Sequence, residues 1–328
     1  MTTRAVGAAS SWRRMAGIVR GRTLEAGLAL ALAVLFVVLS LTAPHFLTPD
    51  NLLNVLHDAA FQGIVAWGMT LVIVGGEIDI SVGPAVAFAS VLLATLTSTL
   101  GWPLPLAIPA VLAEGAAVGL LAGIVRVRWN VPSFIVTLAL WSAFRGLALL
   151  ITNALPITIT NDRFQFWGNG SVGRIPVPAI VMFLLFFVMW FVAERTRFGR
   201  WVYAVGGNPD AARLAGIRVG RVRTLLLGLT GVLAAFTGVL LASWLGSGNP
   251  SAADGLEFDV IAAVIIGGTD LYGGRGSMVG TLMGVLFIGL IANGLVLLGV
   301  NPYAQGVVRG GIILTAVLLN MTLRKKRR

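Results

Sequence analysis

Two short segments of this chain look like versions of one another: Gly75-Gly76-Glu77-Ile78-Asp79-Ile80-Ser81-Val82-Gly83 and Gly267-Gly268-Thr269-Asp270-Leu271-Tyr272-Gly273-Gly274, each set between long apolar runs. Glycine frees the backbone from regular structure. A carboxylate placed in a bilayer costs about 3 kcal/mol or more, so it is tolerated where it faces protein or water rather than lipid. Interrupted apolar segments at corresponding places in two halves of a chain point to a transport path. Gly76, Glu77, Asp79, Gly268 and Asp270 are therefore the candidate path or gate residues. The competing chemistry for Asp79 and Asp270 is local: capping helices or accepting from backbone amides at the glycine breaks. A third use, as an acid pair in a membrane-embedded hydrolase, finds no further support.

Other reactive chemistry is sparse. Cysteine is absent, which removes disulfides and thiolate metal sites, and the two histidines, His45 and His57, are too few for an imidazole metal centre. No HExxH motif occurs. A phosphate-cradling loop needs G-x-x-x-x-G-K-[ST], yet the only lysines are Lys325 and Lys326 in the terminal basic run. No catalytic residue, metal site or cofactor is assigned to this chain, and any ATP-derived energy must come from another one.

The elements that hold these breaks are membrane helices. Hydrophobic residues make up 57% of the 328 and charged residues 11%, against roughly 25% charged in a soluble domain. Because a span needs about 20 apolar residues, the expected crossings are 26–44, 55–75, 81–99, 104–125, 132–151, 176–193, 224–245, 257–270, 277–298 and 307–323. The stretch 257–270 is too short to cross as a straight helix and reads as a half-helix or re-entrant segment. The expected fold is thus an all-α polytopic membrane protein of about ten helices (range 8 to 11) with broken or re-entrant segments. If both termini are cytoplasmic, 20 of the 24 basic residues fall on the inner face, as the excess of Arg and Lys in cytoplasmic loops requires. The net charge of +11 then reports loops beside anionic lipid rather than nucleic-acid binding. The first 22 residues hold no apolar core and do not read as a cleavable signal peptide. The chain divides into a cytoplasmic tail (1–25), one transmembrane domain (26–323) with a cytoplasmic loop at 194–224, and a basic tail (324–328).

That loop contains a short helix. Gly206-Gly207-Asn208-Pro209 is a turn, Asn208 can cap a helix that starts at Pro209, and Asp210 falls in the first turn where the helix dipole favours an acid. Ala211, Ala212, Leu214 and Ala215 keep it small and apolar, and Gly216 stops it. Such a helix either tucks under the membrane or forms a knob for a cleft in a partner. Elsewhere, Glu114 lies mid-span, where a charge is costly, and is expected to be protonated or paired, with Arg145 the candidate partner and a role in substrate transfer the alternative. Gly115, Gly119 and Gly123 form a small-residue stripe suited to helix packing. Trp129, Trp141, Trp167 and Trp201 suit an interfacial belt, while Trp67 and Trp244 could line a path.

Four ordered segments, GGEIDISVG, Asn130 to Ile157, FGRWVYAVGGNPDAARLAGI (Phe198 to Ile217) and AAVIIGGTDLYGGRGSMVGTLMG (Ala262 to Gly284), resemble the permease subunit of bacterial ABC importers for monosaccharides, the ribose, xylose, arabinose and rhamnose group. The resemblance covers the chain from about residue 26 onward. It implies a multi-pass protein of the bacterial inner membrane. It also implies pairing with a second permease copy or a homologue, a cytoplasmic ATP-binding subunit, and a periplasmic sugar-binding protein. By the same resemblance, Asn208, Pro209, Ala211, Ala212, Arg213 and Gly216 form the helix that couples to the ATPase. Glu77 departs from the commonest family form, Gly-Gly-Ile-Asp. The rival reading, an ion-coupled secondary sugar transporter, shares broken helices and carboxylates but has no need of a capped docking helix.

Overall fold

The computed structural model describes residues 25–325. The tail assigned to 1–25, apart from Glu25, and residues 326–328 of the C-terminal tail lie outside the described residues. Among the described residues the chain is helical. In order it forms α1 (Glu25–Thr42), α2 (Pro49–Val74), α3 (Val82–Ala94), which runs into a π-helical turn at Thr95–Thr99, and α4 (Leu104–Arg128). There follow α5 (Ser133–Thr152), a short α6 (Asp162–Asn169), α7 (Val177–Arg195), α8 (Arg197–Gly207) and α9 (Pro209–Leu214). The chain ends with α10 (Val219–Leu245), α11 (Leu256–Ile266), α12 (Met278–Leu297) and α13 (Pro302–Lys325).

Among the described residues, eight of these helices are long and apolar enough to cross a membrane: α1 to α5, α7, α10 and α12. The other two expected spans correspond to α11 and α13. With 11 residues, α11 rises about 16 Å, half of a hydrocarbon core, as its short apolar run anticipated. The expected span 307–323 lies within α13.

Local chemistry sets the helix starts. Thr48 accepts from Asn51 N (3.4 Å) to open α2 with Pro49 at its first position, and Ser277 accepts from Gly280 N (3.2 Å) to open α12. Burial then separates inner from outer helices. In their apolar windows α2 is 83% and α10 72% buried, whereas α1 is 6% and α5 17% buried. The first pair is therefore the core and the second faces lipid or a partner.

The Gly115, Gly119, Gly123 stripe is a packing seam. A Cβ on Gly119 would collide with the Leu227 carbonyl, and one on Gly231 of α10 would collide with the Gly115 carbonyl. Each helix thus presents bare backbone to the other. Chain segments outside the long helices are tied by two-residue antiparallel pairings, Ile157–Thr158 with Ser247–Gly248 and Ser171–Val172 with Ile175–Pro176.

Candidate functional site

The two glycine breaks meet each other, and they meet the end of α8 in the same place. Gly274 N donates to Val74 O at 2.7 Å, so the turn after α11 hydrogen-bonds the last residue of α2. A Cβ on Gly273 would lie 2.9 Å from the Gly76 Cα and 3.1 Å from the Gly206 carbonyl oxygen. One on Gly206 would overlap the Val74 carbonyl and lie 2.6 Å from Gly274 N. Three backbones cross here at a separation that only glycine permits, and Gly76, Gly273 and Gly274 also hold φ values of +78°, +87° and +78°. Tyr203 of α8 fastens the crossing further by donating its hydroxyl to Gly276 O at 3.0 Å. Burial, with the Glu194 carboxylate as a lesser cause, pushes the Tyr203 hydroxyl up to about 12. It therefore keeps the proton it donates. Gly268 (φ +89°) ends α11 in an open position and takes no part in the close crossing.

The acidic residues of the two breaks do different work. Glu77, 2% exposed, is held between two other helices. Arg126 Nε at the end of α4 donates to its two oxygens (3.0 and 2.9 Å), and Arg223 Nε at the start of α10 forms an ion pair with Oε1 at 2.8 Å. Glu77 is thus the clamp joining the α2–α3 break to α4 and α10. Asp79 acts locally. Its Oδ1 accepts from Ser81 N (3.0 Å) and Ser81 Oγ (2.6 Å), and its Oδ2 accepts from Thr230 Oγ1 of α10 (2.7 Å). Asp270 acts within its own turn, accepting from Tyr272 N at 3.0 Å. No hydrogen bond or ion pair joins Asp79 to Asp270 among the described residues, so the geometry offers no acid pair.

Asp79, Thr230 and Glu114 line a cavity of about 20 Å³ between α3, α4, α5 and α10, room for about one water. The expected Glu114–Arg145 pair does not form. Arg145 turns outward instead, donating to Pro250 O (2.7 Å) and Asp254 Oδ1 (3.1 Å). Among the tryptophans, Trp67 is fully buried and donates to Met182 O at 3.2 Å, which makes it core rather than path. Trp244 is partly exposed and stacks on Phe61 at 5.3 Å. Mid-helix Trp141 donates to Glu257 Oε1 at 2.8 Å, away from any span end.

Helix α9 has the expected local form. Asn208 Oδ1 accepts from Asp210 N (3.1 Å) and Ala211 N (3.0 Å), and Gly216 (φ +81°) ends the helix as Ile217 N donates to Ala212 O at 3.0 Å. Two features differ from expectation. The preceding Gly206-Gly207 pair is no turn, because α8 runs through it, opened by Thr196 accepting from Gly199 N at 3.2 Å. Ala212 is buried at 4% exposure, while Ala211, Arg213 and Leu214 face outward. Sequence reasoning also missed Arg126, Arg223 and Thr230 as partners of the break. A buried acid demands such partners, and two arginines at span ends were the available signal.

A protein-family model described as "Branched-chain amino acid transport system / permease component" matches residues 51–317. The chain is 56% identical over 304 residues to the "Probable ABC transporter permease protein YphD" of Escherichia coli K12, covering 92% of this chain and 91% of that one. It is 46% identical over 299 residues to the "Ribose import permease protein RbsC" of Bacillus subtilis, covering 90% and 92%. With the "L-arabinose ABC transporter permease protein AraH" of Azospirillum brasilense it shares 40% over 304 residues, covering 93% and 89%. The chain belongs to this family of multi-pass ABC-transporter permeases, and it is the permease component of such a system rather than the one that hydrolyses ATP.

Proposed function

We propose that this chain forms the inner-membrane path for a monosaccharide, receives the sugar from a periplasmic binding protein and is driven by a separate cytoplasmic ATP-binding subunit. Two permease copies, identical or homologous, complete the path. Residues 26–323 act as one transmembrane domain, with both termini and α9 in the cytoplasm, and no cofactor is required in this chain. The family model is described by amino-acid transport, but relatives over nine-tenths of the chain carry ribose and arabinose permease names, which favours a sugar.

One observation carries the coupling reading: α9 follows directly on the Gly206–Gly207 end of α8, which is in backbone contact with both glycine breaks. Asn208, Pro209, Ala211, Ala212, Arg213 and Gly216 build this helix, and its outward Leu214 is 91% exposed. A push on α9 would reach Val74 and Gly76 on one side and the turn at Gly273 and Gly274 on the other without passing through a flexible side chain. Reconstitution in liposomes tests the reading. With the ATPase and binding protein present, sugar uptake should require ATP. Uptake by this chain alone under a proton or sodium gradient would overturn it.

A further inference from the structure

At the end of the bundle that carries α9, the α4–α5 connection and the start of α10 enclose a pocket of about 400 Å³. Arg126, Arg213, Arg218 and Arg223 line it, with Asn130 and Val127. We propose that this pocket binds the headgroup of an anionic phospholipid.

Charge balance is the first argument. Glu77 is the single carboxylate shared by Arg126 and Arg223, Asp210 pairs with Arg213 at 3.0 Å, and Arg218 has no carboxylate within ion-pair distance among the described residues. Four guanidinium groups thus answer to two acids, and a phosphate diester would supply the missing negative charge with oxygens that guanidinium forks match. Basic pockets between membrane helices at one leaflet are a recognised fit for such headgroups.

The second argument distinguishes a lipid from a soluble anion or an acidic protein segment. Val127 lines the pocket and is itself exposed, and it continues a row on α4 with exposed Ile124 and Leu121, spaced by three residues. A polar pocket that opens onto an apolar helix face matches an amphiphile: headgroup among the arginines, acyl chain along α4. A free phosphate would have no use for that row.

Native mass spectrometry of the full chain in detergent, titrated with phosphatidylglycerol or with phosphatidylcholine of the same acyl chains, tests this. Phosphatidylglycerol should bind preferentially. Asn130→Asp, which adds a carboxylate beside Arg126 at a backbone angle (φ +52°) that Asp tolerates, should weaken it about fivefold, and the charge reversal Arg218→Glu should weaken it more. Arg200→Glu, the same reversal on exposed α8 outside the pocket, should leave binding unchanged, and all variants should keep the wild-type thermal midpoint. Equal retention by wild type, Asn130→Asp and Arg218→Glu would overturn the proposal, as would an equal loss in Arg200→Glu. Displacement of the lipid by millimolar inorganic phosphate would assign the pocket to a soluble anion instead. Displacement by the purified ATPase subunit would assign it to protein docking.

Discussion

Glu77 answers for two guanidinium groups with one carboxylate, at a point where the α2–α3 break passes between the ends of α4 and α10. Removing one member of a buried ion network leaves the others without compensation, at a cost of about 3 kcal/mol or more when water is fully excluded. Both arginines keep some access to solvent, 13% and 18% of their side chains, so Glu77→Gln should cost about 2 kcal/mol by the same reasoning. Thermal unfolding in detergent at fixed salt would read this as a lower midpoint. Adding Arg126→Gln to Glu77→Gln should recover part of the loss, because it removes one of two facing positive charges. A Glu77→Gln protein as stable as wild type would show that the clamp contributes nothing. The need for a partner to Glu77 was legible in the sequence, since an acid between apolar runs demands one. Which residues supply it was not, because Arg126 and Arg223 lie 49 and 146 positions away, where no local pattern connects them. Glu114 shows the same limit: Arg145 was the plausible neighbour, yet it is taken by Asp254 and the Pro250 carbonyl.

At the scale of elements, apolar run length and cap chemistry carried most of the reading. Each expected span has a helix whose ends fall within a few residues of it, except that α2 starts at Pro49, α10 at Val219 and α13 at Pro302. In those three the helix extends through polar or charged residues that an apolar window excludes. Helix α9 was legible because Asn208-Pro209 and Gly216 act within one turn. Helix α8 was not, because Gly206 and Gly207 read as breakers. Tertiary contact overrides that propensity: Gly206 is there so that α8 can touch Val74 and Gly274. Its neighbour Gly207 has open space around the position of a Cβ. The two adjacent glycines should therefore part company. Gly206→Ala forces the crossing apart, an overpacking cost of about 1–3 kcal/mol, and should reduce ATP-driven uptake at constant membrane abundance. Gly207→Ala should leave midpoint and uptake near wild type. Equal behaviour of the two variants would mean that the crossing is not under steric constraint.

For the whole molecule, the question is whether α9 is the handle by which an ATPase moves the path. Ala211 and Ala212 looked equivalent in sequence, both small and both in the middle of a short helix. They are not equivalent in the fold, since Ala212 packs inward against the core that includes Val219 and Val222 while Ala211 points away from it. An arginine at 212 would damage the fold and prove nothing about docking. Ala211→Arg is the clean test: arginine is a good helix former, and a positive charge near the helix start costs only about 0.5 kcal/mol. The thermal midpoint and membrane abundance of Ala211→Arg should hold. If a partner cleft closes over this face, a guanidinium there should cut co-purification of the ATPase about tenfold or more, the factor matching a clash of ~1.4 kcal/mol. Sugar uptake should fall with it. A helix that merely rests on the membrane would welcome the added charge, because anionic headgroups attract it. Wild-type uptake and wild-type ATPase recovery in Ala211→Arg would therefore remove α9 from the coupling route, and leave the backbone crossing at Gly76, Gly206 and Gly273 without a driver on that side.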